Sequence, residues 1–267
     1  MNNTRYSSSS QKMHWNIAGG IRFTDLILNH LDTVNSSYNI TLYDSYFVSW
    51  SGGRNTSDRQ YDRSHLEQLL DRLSKRGIGL FFTFSSHVLT ARDLTDSICN
   101  EILSIAHAPG NGVIVTCDFL ADYINDKYPD YTVTYSVINS YLDEVILWSD
   151  ENVIEYYNQL SNYYDIVVIA PELNRRFDLI SHLPVDSIEV LVNEQCASHC
   201  PNKNMHYSHE ASKNPEPWAV PCPKNKGELV LSYDEINTLR ECGVSRFKIQ
   251  GRTYSADQFS DILSTYL

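Results

Sequence analysis

A chain of 267 residues, 42% hydrophobic and 12% aromatic, carries enough apolar side chain for one substantial core, and a single α/β barrel commonly needs about this length. Its formal net charge of -12 argues against a general nucleic-acid binder, because phosphate contacts need a positive surface at least locally. No apolar run approaches the roughly 20 residues that span a bilayer, and MNNTRYSSSSQK lacks the apolar core of a signal peptide, so residues 1–12 read as a disordered Ser-rich tail on a cytoplasmic protein that does not enter a membrane.

From Met13 onward, β-like runs alternate with helical patterns, the signature of parallel βα units. HWNIAGG is followed by TDLILNHLDTV, whose Leu26, Ile27, His30, Leu31 and Val34 recur at helical spacing and whose Thr24 is a candidate N-cap. ITLYDSY leads to SHLEQLLDRLSKRG, stopped at Gly77, and GLFFTFS leads to LTDSICNEILSIAH. GVIVT precedes CDFLADYINDKYP, which ends at Pro129. TVTYSV precedes a longer segment with an extra apolar run at Val145 to Trp148 and then NVIEYYNQLSNYY. DIVVIA leads to LNRRFDLISHLP. SIEVLVN empties into a cysteine-bearing loop over 194–231, followed by SYDEINTLRECG, RFKIQG and SADQFSDILSTYL. Eight strands, each followed by helical pattern, predict a single-domain α/β fold over residues 13–267, a (β/α)8 TIM-like barrel. An open doubly wound sheet is disfavoured because no GxGxxG turn follows the first strand.

Active sites of such barrels lie at the C-terminal strand ends. The cysteine loop falls on that face, together with Arg54, Ser86, His87, Cys117, Ser136, Glu172 and the stretch Gln250 to Arg252. Cysteines stand at 99, 117, 196, 200, 222 and 242, and in a reducing compartment a cluster of them reads as metal ligands or catalytic groups. Cys196 and Cys200 reach one metal if the backbone turns between them, and Cys222 follows behind Pro215, Pro217 and Pro221. Three thiolates suit an iron-sulfur cluster with a fourth ligand from elsewhere, or zinc with one of His199, His206 and His209. Unligated loop cysteines are the plain alternative. Cys117 opens a helix, where the N-terminus stabilises a thiolate; it is either a fourth metal ligand or a partly buried small residue. Cys99 and Cys242 sit among apolar residues and read as packing.

Asn193 and Glu194 leave the seventh strand just before Cys196. They are candidates for acid–base work or substrate contact, or for orienting the loop through its backbone. Arg252, at the end of the last strand, suits a carboxylate or phosphate, or a structural ion pair with Glu194 or Glu172. Arg54 carries the same two readings, and His87 is a further catalytic candidate. Tyr156, Tyr157, Tyr163 and Tyr164 read as a packed helix face rather than a base-stacking platform. Neither a Ser nucleophile elbow nor an HExxH zinc helix is present.

At NEQCASHCPNKNMHY, taken with FKIQGR, the sequence resembles the collagenase-like U32 peptidase family. The likeness also runs in order through LTDSICNEILSIAHAPGNGVIVTCDFLADYINDKYPDYTVTYS and YDIVVIAPELNRRFDLI. The resemblance implies a barrel with a cysteine-ligated 4Fe-4S cluster, Cys196, Cys200 and Cys222 as its ligands, and Arg252 facing the site. Several members of that family look like oxygen-independent hydroxylation enzymes acting on tRNA, rRNA or the ubiquinone ring, some thought to take the oxygen atom from prephenate. The implied function is iron-sulfur-dependent hydroxylation of a small aromatic molecule or of a nucleobase in RNA. An RNA substrate needs a patch from Arg175, Arg176, Lys203, Lys224, Lys226 and Arg252. A metal-stabilised binding or partner subunit is the alternative, and peptidase activity, without a triad or metalloprotease motif, comes third. The sequence departs from the family in lacking an obvious fourth family-type cysteine.

Overall fold

Runs rich in Val, Ile, Phe and Tyr become strands because β-branched and aromatic side chains pack well on a pleated surface. Here the eight runs close into one parallel barrel in sequence order. The computed structural model describes residues 12–34, 38–52, 60–212, 216, 218–220 and 227–267. Strand β1 (His14–Ala18) pairs with β2 (Asn39–Asp44) on one side and with β8 (Arg246–Ile249) on the other, and the second pairing closes the ring. Between them run β3 (Gly79–Phe84), β4 (Gly112–Val115), β5 (Thr132–Tyr135), β6 (Ile166–Val168) and β7 (Ile188–Leu191).

Every strand is covered on both faces, which is why the runs are nearly continuously apolar. Outward-facing Trp15, Ile17, Leu80 and Phe82 join the helices in the main core, while Ala18, Tyr43, Phe81, Ile114 and Ile166 form a second cluster inside the barrel. The lumen also holds charge. Lys248 Nζ lies 2.8 Å from Glu189 Oε2, both side chains are buried, and the Asn16 side-chain amide donates to Glu189 Oε1 at 3.1 Å.

The helices are α1 (Thr24–Thr33), α2 (Arg63–Ser74), α3 (Ser97–Ala106), α4 (Asp118–Lys127), α5 (Val137–Leu142), α6 (Asp150–Ser161), α7 (Phe177–Ile180), α8 (Lys203–Ala211), α9 (Tyr233–Glu241) and α10 (Ala256–Tyr266). Local caps start several of them. Asp62 accepts from His65 N before α2, Asp96 from Cys99 N before α3, and Ser232 and Ser255 open capping boxes with Glu235 and Gln258. Gly77 ends α2 with φ 65°, a left-handed conformation that costs glycine little. No helix among the described residues is long and apolar enough to cross a membrane.

Three local expectations need correction. Thr24 is the first helical residue rather than the cap, and its hydroxyl donates to Gly20 O at 2.5 Å. Of LNRRFDLISHLP only the four residues of α7 are α-helical, and a 3-10 turn, Pro171–Leu173, leads into the segment. Side chains there tie the chain to other elements instead: the buried Asn174 amide donates to Leu191 O of β7 at 2.9 Å, and Arg175 and Arg176 pair with Glu235 and Asp150. The cysteine loop contains a helix, α8, which buries Lys203, Tyr207 and Ala211 at i, i+4 and i+8. The predicted tail lies outside the described residues except for Lys12.

Candidate functional site at the barrel mouth

The ends of β7 and β8 are tied together by a reciprocal set of hydrogen bonds. The Asn193 amide donates to Gln250 O at 2.8 Å, Asn193 Oδ1 accepts from Gln250 N at 2.8 Å, and Gln250 Nε2 donates to Asn193 O at 2.9 Å. Asn193 is therefore an orienting residue. Glu194 orients the loop through its backbone and also faces a cavity. Its Oε1 accepts from Cys196 N at 2.7 Å and from Gln250 Nε2 at 3.2 Å, and its Oε2 accepts from Tyr141 OH at 3.4 Å, which pins the cysteine loop. The same carboxylate lines a cavity of about 70 Å³ at the mouth, with Tyr43, Thr83, Lys248, Gln250 and Arg252 among its other polar walls and Ile114, Val168 and Leu191 among the apolar ones.

Arg252 enters from the end of β8. Its Nη1 donates to Thr83 Oγ1 at 3.1 Å, and its backbone carbonyl accepts from Arg22 Nη1 at 2.8 Å. Below it, Asp44 accepts from the backbone N–H groups of Ile21 and Arg22 at 3.0 Å and of Ser45 at 2.9 Å. Burial nonetheless pushes the Asp44 carboxyl above the usual range, opposed by the Arg252 charge and those N–H donors. Burial also pulls the Lys248 ammonium below its ordinary value, against the stabilising charge of Glu189, and raises the Tyr43 phenol, over whose ring Lys248 Nζ lies at 4.1 Å. Glu172 is paired not with Arg252 but with Lys203, at 2.7 Å.

Sequence reading passed over Lys248, Glu189, Tyr43 and Asp44. The signal was present in Glu189 of IEVLV and Lys248 of RFKI: a charge flanked by apolar residues in a barrel strand needs a partner in the lumen.

Cys196 and Cys200 are half-buried, and His199 between them adopts a left-handed backbone, φ 51°, that turns the chain from one to the other. Cys117 sits at the N-cap of α4 and donates its thiol to Ser86 O at 3.4 Å. Burial raises its thiol rather than lowering it, so desolvation outweighs the helix N-terminus here. His87 Nε2 lies 3.2 Å from Ser208 Oγ of α8, and burial lowers its pKa. His206 and His209 pack on Trp218, with ring centroids 5.1 and 5.4 Å away, and both approach Glu210. Among the described residues no three His, Cys, Asp or Glu side chains gather as a group that could hold a metal ion; Cys117 thus forms no such group with Cys196 and Cys200. Cys222 and Arg54 lie outside the described residues, as do Lys224 and Lys226.

Among the described residues, Arg175, Arg176 and Lys203 do not assemble into an open basic patch. Lys203 is buried against Glu172, Arg176 pairs with Asp150, and Arg175 holds Glu235 at 2.5 Å and the carbonyls of Glu228 and Val230. Only Tyr156 and Tyr157 belong to α6, where Tyr157 is buried and Tyr156 is joined to Tyr135 OH at 2.8 Å; Tyr163 and Tyr164 follow the helix end, Tyr164 buried with its OH donating to Asp118 and Tyr163 exposed.

No protein-family model matches the chain, and neither does any curated protein. Among solved structures it is similar to the U32 peptidase Mk0906, with a TM-score of 0.59 and 15% identity, over 92% of this chain and 94% of that one. The spore cortex-lytic enzyme SleL of Bacillus cereus aligns with a TM-score of 0.45 and 10% identity, over 96% of this chain and 74% of that one. The first likeness shows a barrel fold shared along nearly the whole length of both chains.

Proposed function

We propose that this chain is a U32-type barrel enzyme that hydroxylates a small, partly apolar molecule bearing an anionic group, bound at the mouth of the barrel, with an organic hydroxyl compound as co-substrate that gives up its OH group and takes the displaced hydrogen in exchange. The observation that carries the reading is the convergence of Glu194, Gln250, Lys248 and Arg252, from the ends of β7 and β8, on one pocket that also has apolar walls. Arg252 orients the anionic group and Lys248 contributes positive charge beneath it, in a low-dielectric site where such interactions strengthen. Ile114, Val168 and Leu191 receive the apolar part and exclude water. Glu194 holds or accepts a proton at Oε2, the oxygen facing Tyr141 OH. A small molecule fits better than RNA, because Arg175, Arg176 and Lys203 are committed to carboxylates.

The donor chemistry beside the pocket fits an iron-sulfur cluster. Cys196 and Cys200 are half-buried thiols at the two ends of a tight turn, and Cys222 is the third ligand in this reading. When bound, such a cluster supplies electron transfer. Zinc is the competing occupant, given His199 in the same turn. Purification without oxygen, followed by iron, sulfide and zinc analysis, tests the cluster: iron and sulfide should be present together and fall in Cys196→Ser. Zinc without sulfide would show the cluster assignment to be wrong. Benzoate, an aromatic carboxylate, should bind in calorimetry and lose affinity at least tenfold in Arg252→Gln; equal affinity for the variant would remove Arg252 from the site.

A second reading, a metal-stabilised binding or partner subunit, draws support from exposed apolar residues in segments that leave the C-terminal strand ends: Val88, Leu147, Met205 and Val230. In that case metal removal abolishes partner capture while the mouth pocket binds no small molecule.

A further inference from the structure

Beside the mouth lies a second cavity, of about 190 Å³, between the turn at 143–147, the turn Pro171–Leu173 and the loop that carries Cys200. Two stacked tyrosines divide it from the first: Tyr207 lines the mouth pocket and Tyr141 the second cavity, with ring centroids 5.8 Å apart and planes inclined by 14°.

The second cavity contains an incompletely satisfied buried charge. The Glu172 side chain is 3% exposed; its Oε1 accepts from Lys203 Nζ at 2.7 Å, while its Oε2 is buried and has no protein hydrogen-bond partner. Lys203 is itself buried, and its ammonium lies 3.8 Å from the centroid of the Tyr141 ring, so its charge is committed to Glu172 and that ring. Buried polar atoms are nearly always hydrogen-bonded, and a buried carboxylate oxygen left without a donor is costly in low dielectric. A donor carried in by a ligand removes that cost. The fixed charges also favour a cation, because Glu144 and Glu172 oppose the single Lys203 among the lining residues. Both described non-glycine residues with left-handed backbone, Glu144 at φ 53° and His199 at φ 51°, line this same cavity. Such conformations are costly and cluster where ligands are clamped.

We infer that this cavity is a second ligand site, for a small molecule with a primary ammonium at one end and an apolar body at the other. The ammonium donates to Glu172 Oε2, and the body rests against Ile146, Leu147 and Pro201. The site lies one tyrosine away from the mouth pocket and does not depend on what binds there.

Phenethylamine and phenylacetate, alike in size and opposite in charge, test this by calorimetry and thermal shift on the full chain purified without oxygen. Phenethylamine should bind saturably at millimolar concentration and raise the melting temperature, and phenylacetate should do neither. Affinity for the amine should fall at least tenfold in Glu172→Gln. Because that change also unpairs Lys203, Leu147→Arg serves as a second variant. It places a positive charge at an exposed position on the cavity wall and should weaken the amine by a similar factor without lowering the melting temperature. Arg252→Gln should leave amine binding unchanged, which separates this site from the mouth pocket. Equal binding of phenylacetate, amine binding that survives both cavity variants, or no saturable binding of the amine, as for a cavity that holds only water, would each overturn the assignment.

Discussion

Replacing Lys248 with Met keeps the length of the side chain and removes its charge, leaving Glu189 in the barrel lumen without its ion-pair partner. In the native chain the two groups are 2.8 Å apart, with side chains 7% and 2% exposed, so water cannot replace the lost partner. Breaking a buried pair from one side typically costs about 3–5 kcal/mol, because an uncompensated charge remains. Glu189 keeps the amide of Asn16 at 3.1 Å, which places the expected cost at the low end, about 3 kcal/mol. For a chain of this size that corresponds to a fall in melting temperature of about 6–12 °C, readable by circular dichroism and by guanidinium titration. Adding Glu189→Gln removes the stranded charge while keeping an acceptor for Asn16, and should restore about half of the loss. A single variant that loses less than about 1 kcal/mol, or a double variant no more stable than the single, would falsify the view that charge desolvation governs the lumen.

Three further outcomes follow from other parts of the barrel. Burial, aided by the Arg246 charge, lowers His14 from 6.5 to about 4, so it is neutral in the folded protein, where Nε2 lies 2.9 Å from Thr41 Oγ1. Its contribution is fully present above pH 6.5 and is lost as pH falls to about 4, amounting to about 3 kcal/mol; in His14→Gln the stability-versus-pH curve should flatten across that window, and an unchanged slope would count against the assignment. In Gly52→Ala the new Cβ would lie 2.4 Å from Ser86 Cα and 2.6 Å from Ser86 N, both backbone, so the variant should lose about 1–3 kcal/mol in chemical denaturation and expose Cys117, which is bonded to Ser86 O, to faster alkylation. Cys99 is fully buried, with its thiol pushed up to about 12 by desolvation, whereas Cys200 is half-buried; mass mapping of the metal-free protein with iodoacetamide should show Cys200 modified well before Cys99, and the reverse order would refute that ranking.

The site was legible in part. Glu194 and Arg252 are at the mouth because each lies three residues beyond the end of a barrel strand, and strand ends can be read from periodicity. Asn193 left two roles open that only its bonds to Gln250, 57 residues away, could resolve. The helix in the cysteine loop escaped notice because one member of its buried stripe is Lys203, a residue type that normally ends in water; it is buried here because Glu172 meets it. For Cys117, the local rule of the helix N-terminus pointed toward a stabilised thiolate, and burial by the surrounding chain reversed the direction.

Taken alone, the order of residues determined the eight strands, most of the helix starts and the closed parallel barrel, because these follow from short-range patterns: apolar runs, caps and stops within a few residues. The tertiary structure decided which charges are buried and against what. The pairs Glu189–Lys248 and Glu172–Lys203, the reach of Arg252 to Thr83 and the tyrosine wall between the two cavities join residues from 31 to 169 positions apart. Closing the barrel brings those partners together and at the same time removes the water that would otherwise have solvated them.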